Sequence, residues 1–326
     1  MKEFKIDKFD TNQRIDKYIK KMLPSASLSL IYKAFRKKDI KVNNHWVKQE
    51  YILQENDVIK IYINDEVFKE SEEAKKVENI KFNLDIVYED ENILVLNKDK
   101  GILVHGDKNE KIYTLSNEVI SYLYNKKEYN PKENNFIPSP VHRLDRNTSG
   151  IIVFAKNMIT SKQLMEEFKT KDNLEKHYVA LTFGDSSDSG KIDAPLRKES
   201  DKNLVFVDYA SPLSKEALTL YNKIDGNYQY SLLDVTLITG RTHQIRVHLS
   251  YIDLPIVGDS KYGNFLLNKQ FSKEYKYEKQ FLHAYSLKFK NLSGHLSYLS
   301  NKRFVANLKK EEIDILNKLN LKFRSK

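Results

Sequence analysis

Apolar positions in the first 64 residues switch between helical and strand-like spacing. They recur every three or four residues along two predicted helices: Ile15, Tyr18, Ile19, Met22 and Leu23 in the first, and Leu30, Ile31, Ala34 and Phe35 in the second. Ser27 can cap the second helix, because its hydroxyl can accept from a free N–H group of the first turn. Residues 40–47 predict a hairpin that turns at Asn43 and Asn44, and residues 58–63 predict a further strand. We therefore expect a small α/β domain here.

From about residue 82 the pattern changes to short apolar runs. The runs with strand character lie at 86–88, 93–96, 150–155, 178–183 and 232–238, with helical patterns between them. This arrangement predicts an α+β domain built on a mixed, mainly antiparallel sheet. Residues 65–79 are rich in charged and poor in apolar side chains, which predicts a flexible linker. We expect three parts in all: a domain over 1–64, a linker over 65–81 and a second domain over 82–326.

The charge balance is basic. The chain has 55 Lys and Arg against 45 Asp and Glu, and its pI is about 9.2. Residues 1–64 hold 14 basic and 8 acidic side chains, so this fifth of the chain supplies +6 of the net charge of +10. Such an excess fits a polyanionic partner, RNA or DNA. It fits equally well a Lys-rich composition that only keeps the protein soluble.

Several classes of protein are excluded by what the sequence lacks. There is no Cys, so disulfides, thiolate metal sites and Cys nucleophiles are impossible. No apolar run reaches the roughly 18 residues of a membrane span, and residues 1–6 lack the apolar stretch of a signal peptide. We expect a soluble cytoplasmic protein with no membrane partner, and a monomer, since no exposed apolar stripe stands out.

The segment 142–150 carries the clearest candidate chemistry. It places Asp145 between Arg143 and Arg146, just before the apolar strand 151–155. Neighbouring positive charge favours the ionised carboxylate, and an ionised carboxylate in a basic setting can act as a nucleophile toward a phosphate-bearing substrate. A surface ion pair of little consequence is the alternative. The segment 239–248, about 100 residues further on, is again rich in basic residues and favours the functional interpretation.

Four segments resemble, in the same order, the motifs of the RluA-type pseudouridine synthases: 92–98 with Gly101 and His105, 142–150, 176–181 and 239–248. One position departs from the family pattern, since Asp99 stands where a Pro usually follows the Lys. The resemblance implies a pseudouridine synthase catalytic domain that isomerises uridine in RNA. That reaction breaks the N-glycosidic bond, turns the base and joins its C5 to the ribose, so it needs no redox step, cofactor or metal.

The resemblance also implies three catalytic roles. Asp145 is the nucleophile, toward either the base or the sugar carbon. Arg246 keeps that carboxylate ionised and aimed, because a guanidinium fixes carboxylate geometry; the alternative is a base on a helix surface with no partner. Tyr178 offers a ring to stack on the uracil and a hydroxyl near the C5 proton; the alternative is an ordinary core Tyr. A uridine inside folded RNA has to be flipped out to reach such a site.

Basic and aromatic residues around these motifs are the candidates for RNA contacts. Near the catalytic motifs they are His142, Arg143, Arg146, Arg241 and His243. On the exposed side and at the C-terminal end of the second predicted helix they are Lys33, Arg36, Lys37 and Lys38. For His142 a structural role is the alternative, and for Arg143 an ion pair. We place Arg241, His243 and His248 with Arg246 on one helix, and we expect no metal there because the two His are five residues apart. Residues 13–19, 41–44 and 55–59 resemble the S4 RNA-binding domain.

Residues 255–263, the insertion at 265–278 and residues 281–289 look most like the RluC branch of the family. That branch acts on large-subunit ribosomal RNA, and the RluD branch shares most of these features. The expected partner is therefore this RNA or its precursor particle. Two other classes of function stay open: a non-catalytic S4-type RNA-binding or ribosome assembly factor, and a metal-dependent nuclease or phosphoesterase, which needs clustered ligands.

Overall fold

The computed structural model describes residues 1–7, 10–23, 26–68, 80–107, 109–131, 136–170, 172–199 and 203–323. The chain divides into two compact units. One comprises Met1–Asn83, Ser116–Ser139 and Ala155–Gln163, and the other Leu84–Leu115, Pro140–Phe154 and Leu164–Lys326. Residues 69–79 of the predicted linker lie outside the described residues, and the division at residues 64 and 82 stays a prediction.

The described helices are α1 (Ile15–Met22), α2 (Leu28–Arg36), α3 (Leu115–Asn125), α4 (Met158–Thr170), α5 (Gln244–Tyr251), α6 (Phe265–Tyr275) and α7 (Lys310–Lys318), with a 3-10 helix at Gly294–Leu299. The described strands are β1 (Lys2–Lys5), β2 (Ile40–Val42), β3 (His45–Trp46), β4 (Val58–Ile61), β5 (Ile86–Glu89), β6 (Ile93–Lys98), β7 (Ser139–Pro140), β8 (Ser149–Ala155), β9 (Leu174–Phe183), β10 (Ser189–Asp193), β11 (Leu196–Glu199), β12 (Leu204–Val207), β13 (Leu218–Gly226), β14 (Tyr230–Leu237), β15 (Leu282–Phe289) and β16 (Arg303–Val305).

The first unit carries a four-stranded sheet in the order β1-β4-β2-β3, together with α1 and α2. Ser27 caps α2 by accepting a hydrogen bond from Leu30 N at 3.1 Å, as its position predicts. The hairpin turns at Asn43 and Asn44, both with positive φ, which is the backbone that a type I′ hairpin turn requires. Phe68, which falls in the predicted linker, is only 2% exposed and packs in the core of this unit.

The second unit is built on the larger sheet, whose main path has the order β10-β13-β14-β9-β15-β8-β6-β5. Among its described strand pairs with a defined register, only β8 and β15 run parallel; the others are antiparallel. The predicted α+β class with a mixed, mainly antiparallel sheet is confirmed. In the described residues no helix is both long and apolar enough to cross a membrane.

Candidate active site

Asp145 lies in the tight turn that leads into β8. Thr148 N donates to the Asp145 carbonyl oxygen at 3.1 Å, and the Thr148 hydroxyl accepts from the buried amide of Gln280 at 3.1 Å. Gly150 follows with φ of +109°, and a Cβ added there would lie 2.2 Å from the carbonyl oxygen of Ala284 on β15. The close approach of β8 to β15 therefore requires glycine at this position and fixes the turn that presents Asp145.

Arg246 on α5 contacts two carboxylates. Its Nη1 donates to Asp145 Oδ2 at 2.8 Å, while Nε and Nη2 donate to the two oxygens of Asp259 at 2.7 and 2.9 Å. Burial lowers the pKa of Arg246, but the hydrogen bonds and charge of Asp259, with help from Asp145, raise it overall. The predicted pair of Asp145 and Arg246 is formed, and the guanidinium stays charged beside a carboxylate that is 28% exposed.

Asp259 anchors this arrangement from the buried side. Its side chain is 1% exposed, and Oδ1 also accepts from the backbone N–H groups of Lys261 and Tyr262 at 2.9 and 3.0 Å. Burial raises the pKa of Asp259, yet the hydrogen bonds and positive charge of Arg246 outweigh it and lower the pKa overall. A fully bonded buried carboxylate thus leaves Arg246 little freedom to move.

His243 and Tyr262 form a second set of contacts near Asp145. His243 Nε2 is 3.9 Å from Asp145 Oδ2, and His243 Nδ1 is 2.8 Å from the Tyr262 hydroxyl. The Tyr262 ring also faces the guanidinium carbon of Arg246 at 5.0 Å from its centroid. Within the described residues, both Arg246 and His243 approach Oδ2, and no donor contacts Asp145 Oδ1.

Lys98, at the end of β6, binds the backbone next to Asp145. Its ammonium donates to the carbonyl oxygens of Asp99, Ile102 and Arg146 at 2.7, 2.8 and 3.0 Å. Burial lowers the pKa of Lys98 to about 7. Since Arg146 directly follows Asp145, Lys98 ties the segment after β6 to the turn that holds Asp145. Asp99, which stands in place of a proline, still contributes its carbonyl.

Tyr178 lies in β9, opposite Val235 on β14 and Ala284 on β15, and is 8% exposed. Burial, and then the charge of Asp145, raises the pKa of its hydroxyl, which therefore stays protonated across the physiological range. The structure thus places Tyr178 in the electrostatic field of Asp145, and it also buries most of the ring, as the core alternative expects.

The predicted RNA contacts near Asp145 fall into two groups. Arg143, Arg146 and Arg241 are exposed. His142 instead accepts a hydrogen bond from Val153 N at 3.1 Å and stacks on Phe168 with 4.4 Å between ring centroids. Burial lowers the pKa of His142 to about 3, so this ring is neutral and occupied within its own unit. Its geometry matches the structural alternative.

The expected helix around Arg246 is shorter than the sequence suggests. It begins at Gln244, so Arg241 and His243 precede it, and His243 has a left-handed backbone with φ of 54°. The Gln244 side chain accepts hydrogen bonds from Arg241 N and the Thr239 hydroxyl at 2.9 and 2.8 Å, which closes a turn ahead of α5. The prediction that Arg241 and His243 share the helix was wrong for this reason. His248 is buried, with its ring nitrogens on Thr219 and the Ala194 carbonyl.

In the first unit, the four candidate residues of the basic helix are all exposed. Lys33 and Arg36 lie on α2, and Lys37 and Lys38 follow its end. The Lys38 ammonium also sits 5.6 Å from the centroid of the Trp46 ring. These side chains can meet an anionic surface, as the sequence predicts.

Three site residues were not assigned from the sequence: Lys98, Asp259 and Tyr262. Their motifs were noted, in 92–98 and 255–263. The contacts that join them to the site, with Arg146, Arg246 and His243, are made across 13 to 48 residues of the chain. A lone Asp between glycines, Gly258 and Gly263, is the only local signal for Asp259. In the described residues no group of three or more His, Asp or Glu is placed to hold a metal ion.

Comparison with known proteins gives one consistent family. Residues 92–251 match the family model described as RNA pseudouridylate synthase. A Mycoplasma capricolum protein named as an uncharacterized RNA pseudouridine synthase is 37% identical over 94% of this chain and 98% of its own length. The ribosomal large subunit pseudouridine synthase C of Vibrio vulnificus is 34% identical over 87% of each chain.

A solved structure agrees with these sequence relatives. The human RNA pseudouridylate synthase domain containing 4 is 26% identical, with a TM-score of 0.59, and the match covers 74% of this chain and 94% of that one. The family model, the sequence relatives and the solved structure all indicate the same family. The chain belongs to the RluA-type family of RNA pseudouridine synthases.

Proposed function

We propose that this chain isomerises uridines of large-subunit ribosomal RNA to pseudouridine, with Asp145 as the nucleophile. The observation that carries the proposal is the contact of Arg246 Nη1 with Asp145 Oδ2 at 2.8 Å. This contact holds one carboxylate oxygen, while Oδ1 faces no donor in the described residues. Oδ1 is the oxygen that attacks the flipped nucleotide.

Tyr178 serves the same reaction from the sheet. Its ring stacks on the uracil, and its protonated hydroxyl lies in the field of Asp145, which raises its pKa further. The hydroxyl can accept the C5 proton as it passes its own proton to solvent, so no second negative charge forms beside the nucleophile. Arg246 holds Asp145 in one orientation while the N-glycosidic bond breaks and the bond between C5 and the ribose forms.

Exposed basic side chains supply the grip on RNA. Arg143, Arg146 and Arg241 near the turn are exposed, and Arg143 is the candidate to fill the stack vacated by the flipped base. In the first unit the exposed basic end of α2 supplies phosphate contacts, consistent with its S4-like pattern. The ribosomal target rests on relatives named for the large ribosomal subunit.

Tritium release from rRNA transcripts labelled at uracil C5 tests this proposal. In buffer containing EDTA, the wild-type protein should release tritium from large-subunit transcripts and not from small-subunit transcripts. Asp145→Asn should bind the same RNA and release less than about a hundredth as much, since loss of a covalent nucleophile costs more than that. Asp193→Asn, which changes an exposed carboxylate paired with Lys191, should behave as wild type.

Other outcomes would replace the proposal by a specific alternative. Tight RNA binding without release from any transcript or ribosomal particle would favour the non-catalytic RNA-binding factor. Activity that disappears with EDTA and returns with Mg²⁺ would favour metal-dependent chemistry. Release from small-subunit RNA alone would retain the isomerase and overturn the large-subunit target.

A further inference from the structure

His243 stands between Asp145 and the hydroxyl of Tyr262. Its ring is 11% exposed, with Nε2 3.9 Å from Asp145 Oδ2 and Nδ1 2.8 Å from the Tyr262 oxygen. Its backbone lies in the left-handed region just before α5, so the ring position is set by a turn and not by the helix. The sequence suggests an RNA contact for this residue, but its geometry points at the carboxylate.

The position of the imidazole proton follows from the partners of Tyr262. The Tyr262 oxygen accepts a hydrogen bond from Val205 N at 3.0 Å. The phenol has one proton to donate, and in the described part of the chain the one acceptor within reach is His243 Nδ1. Nδ1 of the neutral ring is therefore the acceptor, and the imidazole proton is on Nε2, toward Asp145.

The surroundings of His243 also favour its neutral form. Burial lowers its pKa, as do the positive charges of Arg246 and Lys261, while Asp145 and Asp259 act in the opposite direction. An imidazolium would direct the Nδ1 proton at the Tyr262 oxygen and leave the phenol proton without an acceptor among the described residues. A neutral ring with its proton on Nε2 gives the Tyr262 phenol an acceptor and turns an N–H group toward Asp145.

We propose that His243 is a positioning residue for Asp145. Its neutral ring carries a proton on Nε2, facing Oδ2, because the Tyr262 hydroxyl, which accepts from Val205 N, donates its own proton to Nδ1. On substrate binding His243 donates to Oδ2 alongside Arg246 and so directs Oδ1 to the substrate. The inference rests on the proposed role of Asp145 as nucleophile. At 3.9 Å the contact is longer than a direct hydrogen bond. A small turn of the side chain on substrate binding, or one bridging water, closes the gap.

The proton arrangement can be measured without activity. In ¹⁵N-detected histidine spectra of the full chain, the neutral rings separate by tautomer. Two other residues provide references: His142 accepts from Val153 N through Nε2 and so carries its proton on Nδ1, whereas His283 faces the Ala306 carbonyl through Nε2 and so carries it there. His243 should match His283, and Tyr262→Phe should convert it to a mixture of tautomers. A His243 spectrum of the His142 type, or of an imidazolium at pH 7, would overturn the inference.

Kinetics then test whether the proton matters. His243→Asn tolerates the left-handed backbone but is too short to span Tyr262 and Asp145. The longer amide of His243→Gln can accept a hydrogen bond from Tyr262 and donate one to Asp145. We expect Tyr262→Phe and His243→Asn to lower kcat by about 10–100-fold, the usual range for loss of such a supporting contact. KM and RNA affinity should stay within about twofold, and His243→Gln should recover part of the loss.

The two proposals fail in different ways. If Asp145→Asn is inactive while both His243 variants keep the wild-type kcat, the role of His243 is wrong and that of Asp145 stands. If the His243 variants lose RNA affinity with kcat unchanged, His243 contacts RNA and does not position Asp145. If Asp145→Asn itself turns over, the proposed function fails, whatever tautomer His243 shows. Thermal unfolding midpoints of all variants separate these results from loss of the fold.

Discussion

The carboxylates of Asp145 and Asp259 are bound by the same guanidinium group. Arg246 gives Nη1 to Asp145 and gives Nε and Nη2 to Asp259. Asp259 is 1% exposed and cannot meet the substrate, whereas Asp145 is 28% exposed and can. One carboxylate thus fixes the arginine, and the arginine fixes the other carboxylate, which is the one available for chemistry.

Asp259→Asn should lower turnover without weakening RNA binding. An amide has one oxygen to accept with, so it cannot serve both donors of Arg246 and the two backbone N–H groups. We expect kcat to fall about 10–100-fold and RNA affinity to stay nearly constant. The free energy of unfolding should fall by about 3 kcal/mol, since a buried guanidinium loses part of its compensation. Asp193→Asn, in the more exposed pair with Lys191, is the control and should change none of these three quantities. Equal loss of RNA affinity would contradict the positioning role.

Local features of this chain were predictable from sequence because neighbouring residues determine them. The hairpin at Asn43 and Asn44 and the cap at Ser27 need only the residues beside them. The pairing of Asp145 with Arg246 was expected from two motifs and is formed. Asp259 was missed because its partner is set by how the 255–263 turn folds against α5, which no periodicity reports.

Long-range contacts explain where the structure differs from the predictions made from sequence. The parallel pairing of β8 with β15 sets Gly150 beside Ala284, and nothing near residue 150 in the sequence encodes that neighbour. The start of α5 was misplaced because Gln244 bonds back to the preceding turn and so sets Arg241 outside the helix. The sequence therefore predicted the pair of Asp145 and Arg246 better than the residues that hold this pair in place.

Tyr178→Phe separates stacking from proton transfer. The variant keeps the ring and loses the hydroxyl, so RNA affinity should persist while single-turnover tritium release slows by about 100-fold. Tyr221→Phe removes a hydroxyl from another buried Tyr, one bonded to Ser187, and should leave the rate unchanged. Full activity of Tyr178→Phe, combined with lost binding in Tyr178→Ala, would reduce Tyr178 to a stacking surface.

Lys98 should make stability depend on pH above neutrality. Burial lowers its folded pKa to about 7, whereas an unfolded Lys titrates near about 10.4. Between these values the unfolded chain holds a proton that the folded one releases, so the contribution to stability rises with pH. Below pH 7 both states are protonated, and the cost of burying the charge is present in full.

Comparison with Lys98→Met makes this rise measurable. The difference in unfolding free energy, wild type minus Lys98→Met, should increase by roughly 1 kcal/mol per pH unit from about pH 7 to 10. The unfolding free energy of the wild type minus that of the exposed Lys318→Met variant should not change over this pH range. A flat profile for Lys98→Met would mean that its three carbonyl partners keep the ammonium charged at high pH.

The basic end of α2 should set the salt dependence of RNA binding. Replacing Lys33, Arg36, Lys37 and Lys38 by Ala removes four exposed charges from one surface. If each contacts a phosphate of single-stranded RNA, the slope of log affinity against log salt should flatten by about 3, since each contact contributes about 0.7. Lys310→Ala with Lys318→Ala, on α7, is the control for charge alone. If this surface supplies affinity and not chemistry, as we propose, tritium release at saturating RNA should be unchanged. A lower saturated rate would instead give the first unit a part in presenting the uridine.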